Sequence, residues 1–246
     1  MVREVILSWG RNSIASCAAA AALLIAAPPA AANVLVVRSS GPSAGSYRPG
    51  SSLPDNARIT LRAGDSIVLL GAGGTRTFRG PGTFSPSQAV RAGTRTALAS
   101  DGRRARIGAV RSGGIIPRGP TIWHVDVSQG GTFCLAGNSS SLMLWRPDSS
   151  SALALTITPP AGRARTVQWA AGRATLTWQA GGPIANGARY TFAQAGVAVP
   201  TEIVFRTLAR EPTDIEGVAA ALIANGCQDQ LDVLIESQPD GAAQGG

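Results

Sequence analysis

The sequence predicts a mostly β protein: two small β units, the second sandwich-like, followed by a C-terminal helical segment. Short runs of alternating apolar and polar residues recur along the chain, each bounded by Gly, Pro, Asn or Ser. The 246 residues include 30 glycines and 16 prolines but only 5% aromatics, which suits short strands and turns better than a helical bundle. Apolar residues at helical spacing, between a capping box and a glycine stop, lie after residue 210.

Arg3 and Arg11 precede an apolar stretch, Ile14 to Ala27, and Pro28-Pro29-Ala30-Ala31-Ala32 follows. This is the charged, apolar and small-residue order of a secretory signal. The stretch is shorter than the roughly 20 residues a spanning helix needs. Residues 1–32 therefore read as a signal peptide, and the mature chain as a periplasmic or secreted protein without a later transmembrane span. The alternative is a membrane anchor made by an uncleaved N-terminal segment. Cysteine usage agrees with export. Cys17 lies in the signal, which leaves Cys134 and Cys227 as an even pair for one disulfide.

The first β unit covers residues 33–102. Its strands are Val34 to Arg38, Ile59 to Arg62, Ser66 to Leu70 and Thr75 to Phe78, separated by glycine-bearing turns. Ser85-Pro86 has the form of a helix N-cap and first turn, with an end near Gly102. Residues 103–120, "RRARIGAVRSGGIIPRGP", carry five arginines and little periodicity, so they read as a basic connector.

The second unit covers residues 121–209. Its strands are Ile122 to Val127, Thr132 to Leu135, Leu142 to Trp145, Ala152 to Thr158, Arg165 to Trp169, Ala174 to Trp178, Ala188 to Phe192 and Glu202 to Leu208. Strands at this spacing predict a sandwich. A turn at Ala171-Gly172 would pair Trp169 with Ala174, Val167 with Leu176, and Thr166 with Thr177. Apolar then meets apolar and polar meets polar, with Trp178 facing Arg165 in a cation–π contact. The four mature tryptophans, Trp123, Trp145, Trp169 and Trp178, read as core.

Helices are expected over residues 210–237. Thr213-x-x-Glu216 has the capping-box form, Ile215, Val218, Ala219, Leu222 and Ile223 recur at helical spacing, and Gly226 is a stop. A second helix covers Asp229 to Glu236. Residues 238–246 read as a disordered tail.

The run "SIVLLGAGGTRTFRGPGTF" begins like a dinucleotide loop. Such a loop needs a helix after its glycines, because phosphate sits on the helix N-terminus. Here Thr75 to Arg79 alternates like a strand, and Pro81 between two glycines bars a helix. The glycines therefore turn a hairpin, and no cofactor is expected.

Gly50, Leu53, Ile59, Leu61, Gly64, Asp65, Leu69 and Gly80 follow a G…L…I-x-L-x-x-G-D-x-x-x-L pattern with a turn and a small strand after it. In this, residues 34–85 resemble the periplasmic domain of FecR-like proteins. The resemblance implies a β domain that senses or transmits through protein contacts. The family's sigma-binding cytoplasmic segment and spanning helix have no counterpart in these residues, so a direct regulator role is not implied.

His124 and Asp126 share one strand face, and Ser128 follows. A Ser-His-Asp hydrolase needs the base between nucleophile and carboxylate, usually from separate segments. Neighbours on one strand read instead as a solvated polar face, so no catalytic residue is assigned. One histidine and two mature cysteines also argue against a zinc site.

Every basic side chain is Arg. Residues 34–210 hold 20 Arg against 6 acids, whereas residues 211–246 hold 7 acids and no base. Such a split points to internal docking or an anionic partner. Export argues against nucleic acid. Arg103, Arg104, Arg106 and Arg111 are the candidate contact, and guanidinium grips phosphate or carboxylate bidentately. The function expected is therefore a non-enzymatic periplasmic interaction or sensory-accessory protein that meets an anionic envelope component or an envelope protein. The alternative is an envelope hydrolase or carbohydrate-binding protein.

Overall fold

The computed structural model describes residues 33–87, 119–137, 139–208 and 212–239. The chain is mostly β, with two helices at its C-terminal end. No described helix is long and apolar enough to cross a membrane.

The N-terminal strands are β1 (Asn33–Ser40), β2 (Ser52–Pro54), β3 (Ile59–Leu61), β4 (Ser66–Gly71), β5 (Gly74–Arg79) and β6 (Gly82–Phe84). One sheet runs β2-β1-β4-β5, and β3 pairs with β6. β1 reads N-V-L-V-V, almost continuously apolar, because both of its faces are covered. Val34 and Val36 pack with Ile59, Leu61, Ile67, Leu69 and Phe78. Leu35 and Val37 face the other way, with Leu70, toward the helices. The strands β2 and β6 are absent from the sequence-based assignment. Each has three residues and a proline in it or beside it, too short to carry an alternation signal.

The questioned glycines turn a hairpin. Gly71 pairs with Gly74 at the end of the β4–β5 ladder, and Gly74 has φ +101°. Strand follows, not helix, and Thr75 N donates to Pro239 O. Asp65 ties the opposite end of this hairpin. Its carboxylate accepts from the amides of Ser43 and Arg62, while its carbonyl accepts from Gly80 N at 3.0 Å. Gly80 has no space for a side chain, since a Cβ there would lie 1.9 Å from Arg62 O. Pro86 and Ser87 form a turn, and the rest of the helix expected from Ser85 lies outside the described residues.

The second set of strands is β7 (His124–Asp126), β8 (Gly131–Ala136), β9 (Ser141–Trp145), β10 (Leu153–Thr158), β11 (Arg165–Trp169), β12 (Thr175–Gln179), β13 (Arg189–Gln194) and β14 (Thr201–Leu208). They form a five-stranded sheet, β11-β10-β13-β14-β8, and a three-stranded sheet, β12-β9-β7. Both sheets contribute to one core. Leu155, Ile157, Trp169, Phe192 and Phe205 from the first meet Val125, Leu142, Leu144 and Trp178 from the second. This is a β-sandwich.

One expected pairing is wrong. β11 and β12 are not a hairpin: β11 pairs with β10, and β12 pairs with β9. Thr166 lies opposite Thr156, and their hydroxyls are 2.8 Å apart. The turn after Trp169 instead carries the chain from one sheet to the other. Arg146, only 4% exposed, holds that corner by donating to Arg173 O and Ala170 O. The cation over an indole is correspondingly Arg146 on Trp169, 5.0 Å from the ring centre. Alternation identified the buried face of β11 but could not identify its neighbour, because β10 carries the same alternation.

The helices are α1 (Ile215–Asn225) and α2 (Gln228–Ser237). α1 is capped by Asp214, whose side chain accepts from Gly217 N, so the cap lies one residue beyond the expected Thr213. Gly226 stops it in the left-handed region at φ +72°, as the stop signal predicts. Leu222, Leu231 and Leu234 pack with Leu35, Val37, Leu70 and Leu208. Of the residues assigned to the tail, Gln238 and Pro239 are described, and Pro239 holds Thr75.

Candidate functional site

Cys134 on β8 and Cys227, just before α2, form a disulfide with Cα atoms 5.9 Å apart. Both are fully buried. A bonded pair is the cysteine usage of an oxidising, extracytoplasmic compartment. Beside it, α2 presents Gln230 to the backbone of β8. The side-chain amide accepts from Cys134 N and donates to the carbonyls of Cys134 and Ile122.

Next to that seam lies a small cleft, lined by Thr121, His124, Asp126, Gln129, Phe133 and Gln230 among others. β7 supplies its polar wall. It pairs in parallel with β9, which turns Val125 into the core and leaves His124 and Asp126 on the other face, half-buried. The cleft encloses about 90 Å³, well below the roughly 300 Å³ at which small-molecule sites begin.

The groups in the cleft do not make a relay. The Asp126 carboxylate accepts from Ser128 N at 2.8 Å, from Ser128 Oγ at 2.6 Å and from Gln129 Nε2 at 3.1 Å. It thus closes the turn between β7 and β8. His124 Nδ1 shares a hydrogen bond of 2.8 Å with Thr121 Oγ1. Burial holds the His124 pKa below its ordinary value. In a triad the serine reaches the carboxylate through the imidazole; here serine and carboxylate bond directly.

Trp145, Trp169 and Trp178 are buried as expected, and Trp123 packs, half-buried, against the helix-side core. Arg103, Arg104, Arg106 and Arg111, the candidate anionic contact, lie outside the described residues. Among the described residues, no group of three or more His, Cys, Asp or Glu is placed to hold a metal ion. Gln230 was missed by sequence reasoning. Its signal was its place among Cys227, Leu231 and Leu234 on the buried face of α2, where an amide needs partners.

No protein family matches this chain, and neither a curated protein nor a solved structure does.

Proposed function

We propose that this chain is an exported, non-enzymatic interaction or sensory-accessory protein that binds an anionic envelope component or an acidic envelope protein. The observation that carries it is the charge split, 20 Arg against 6 acids over residues 34–210 and 7 acids without a base over residues 211–246. The engaged Asp126 carboxylate also favours binding over catalysis, since it already takes hydrogen bonds from Ser128 and Gln129. The FecR-like stretch would supply protein contacts, and the arginines of residues 103–118 the anionic contact.

Arg103, Arg104 and Arg106 neutralised together provide the test. The expected result is salt-sensitive retention of the mature protein by envelope extract, lost in the triple variant, because paired surface charges are screened by salt. Equal retention of the two proteins at low salt would reject the anionic contact.

A further inference from the structure

The helix α2 closes the β7 and β8 side of the sandwich, and β11 and β12 stand at the other ends of their sheets. A free strand edge presents unpaired N–H and C=O groups, and proteins blunt it with proline, charge, short length or a cover. Among the described residues, the other sheet edges each carry one of these devices. β2 has three residues and contains Pro54, and β3, β6 and β7 are equally short. On β5 the Thr75 amide is held by Pro239 O, and on β8 the Cys134 backbone is held by Gln230. β11 carries Arg165, with Arg163 two residues before it. β12, T-L-T-W-Q, has neither charge nor proline, and among the described residues its outer side has no backbone partner.

The ladder with β9 fixes which groups point outward. Arg146 N donates to Ala174 O and Ala180 N donates to Ser140 O, so the even-numbered residues of this stretch bond toward β9. The amides and carbonyls of Thr175, Thr177 and Gln179 therefore face away from the sheet. The side chains of these three are exposed on its outer face, whereas Leu176 is half-buried and Trp178 buried on the core side. Leu176 and, on β11, Val167 stay half-buried at the margin of the core, so the sandwich is incompletely closed between these two edges. Thr177 Oγ1 donates to Sδ of Met143 at 3.2 Å, and that methionine is itself exposed, one strand further in.

We infer that β12 pairs with β12 of a second copy of this chain, antiparallel about a two-fold axis at Thr177, and so joins the two three-stranded sheets into one. A two-fold interface must be complementary to itself. About Thr177 this strand is. Thr177 meets its own copy, Thr175 meets Gln179 and Leu176 meets Trp178, so polar side chains face polar and apolar face apolar. Each outward amide then finds an outward carbonyl on the other copy. Residues 174–188 contain no charged side chain. Two copies of a strongly basic protein can therefore approach along this strand without setting like charges opposite one another. The contact rests on backbone and register and not on the arginines of residues 103–118. It goes beyond the reading built on them and is tested separately.

Light scattering and sedimentation equilibrium of the oxidised mature protein test it. A pair of short strands is a small interface, so the expected result is a dimer that dissociates on dilution. Thr177→Pro removes the amide at the two-fold axis, which among the described residues bonds to no other backbone group. Thr177→Arg sets two guanidiniums against each other at the same place. Each variant is expected to weaken dimerisation about tenfold or more, because both copies lose the central contact. Thr177 is exposed, and an unchanged urea midpoint shows that a variant folds. Thr177→Arg leaves every backbone group in place, so it carries the test if Thr177→Pro does not fold. The mass of a single chain at the highest soluble concentration overturns the inference and leaves the edge to a different chain. A dimer undiminished in Thr177→Arg overturns it as well.

Discussion

Gln230 holds Cys134 by both of its backbone groups: Oε1 accepts from the amide at 2.6 Å, and Nε2 donates to the carbonyl at 3.0 Å. The pairing copies what a neighbouring strand would do. Among the described residues β8 is the last strand of its sheet, with β14 on one side and no strand on the other. A glutamine from α2 takes the missing place, and the same nitrogen also serves Ile122 O at 2.7 Å.

Replacing Gln230 with leucine keeps the volume but leaves those buried backbone groups without a partner. The expected cost is about 1 to 3 kcal/mol, read as a lower urea midpoint in oxidised protein. An unchanged midpoint would mean that water satisfies the edge and that the amide contributes little.

The disulfide closes a loop with a sequence separation of 93 between Cys134 and Cys227. Chain-entropy arguments give about 4 to 5 kcal/mol for a loop of that length, and measured values often fall short. Reduced protein, or the Cys134→Ala/Cys227→Ala pair, is expected to unfold at a clearly lower urea concentration. Mass spectrometry of the exported protein checks the bond itself: two free thiols would refute it.

His124 is the only histidine, so a side-chain contribution to stability near pH 6 belongs to it. Burial lowers its pKa in the folded state below 6.5. The unfolded chain then binds the proton more readily. The stability this confers is present above pH 6.5 and is lost as pH falls through the folded-state value. Midpoints measured from pH 7 to pH 5 should fall in the native protein, and more weakly in His124→Asn. Parallel curves would count against a buried, neutral imidazole.

Strand positions were legible where alternation was long enough to assign a face. β4, β10, β13 and β14 stand close to their expected bounds because each buries alternate residues against a core. Partners were less legible. Val167 and Trp169 point inward whether β11 adjoins β10 or β12, so the pattern is blind to the corner that Arg146 fixes. The helix start slipped by one residue because Thr213 and Asp214 both have side chains able to cap, and only the backbone decides between them. Arg165 and Trp178 were expected as cross-strand neighbours, whereas they line one opening from opposite sheets. Gln230 was not legible by residue type, since glutamine on a helix usually faces water.

Leu35 and Val37 belong to β1, but the wall that covers them, α1 and α2, lies about 180 residues further along the chain and follows every described strand. Thr75 likewise waits for Pro239. These are contacts of very long sequence separation, which slow folding because chain closure must precede any reward from packing. A growing chain would therefore carry an uncovered apolar strand until the two helices emerge. That delay suits a polypeptide threaded through a membrane before it folds, and it makes the interval before closure the period when its β edges are most open to aggregation.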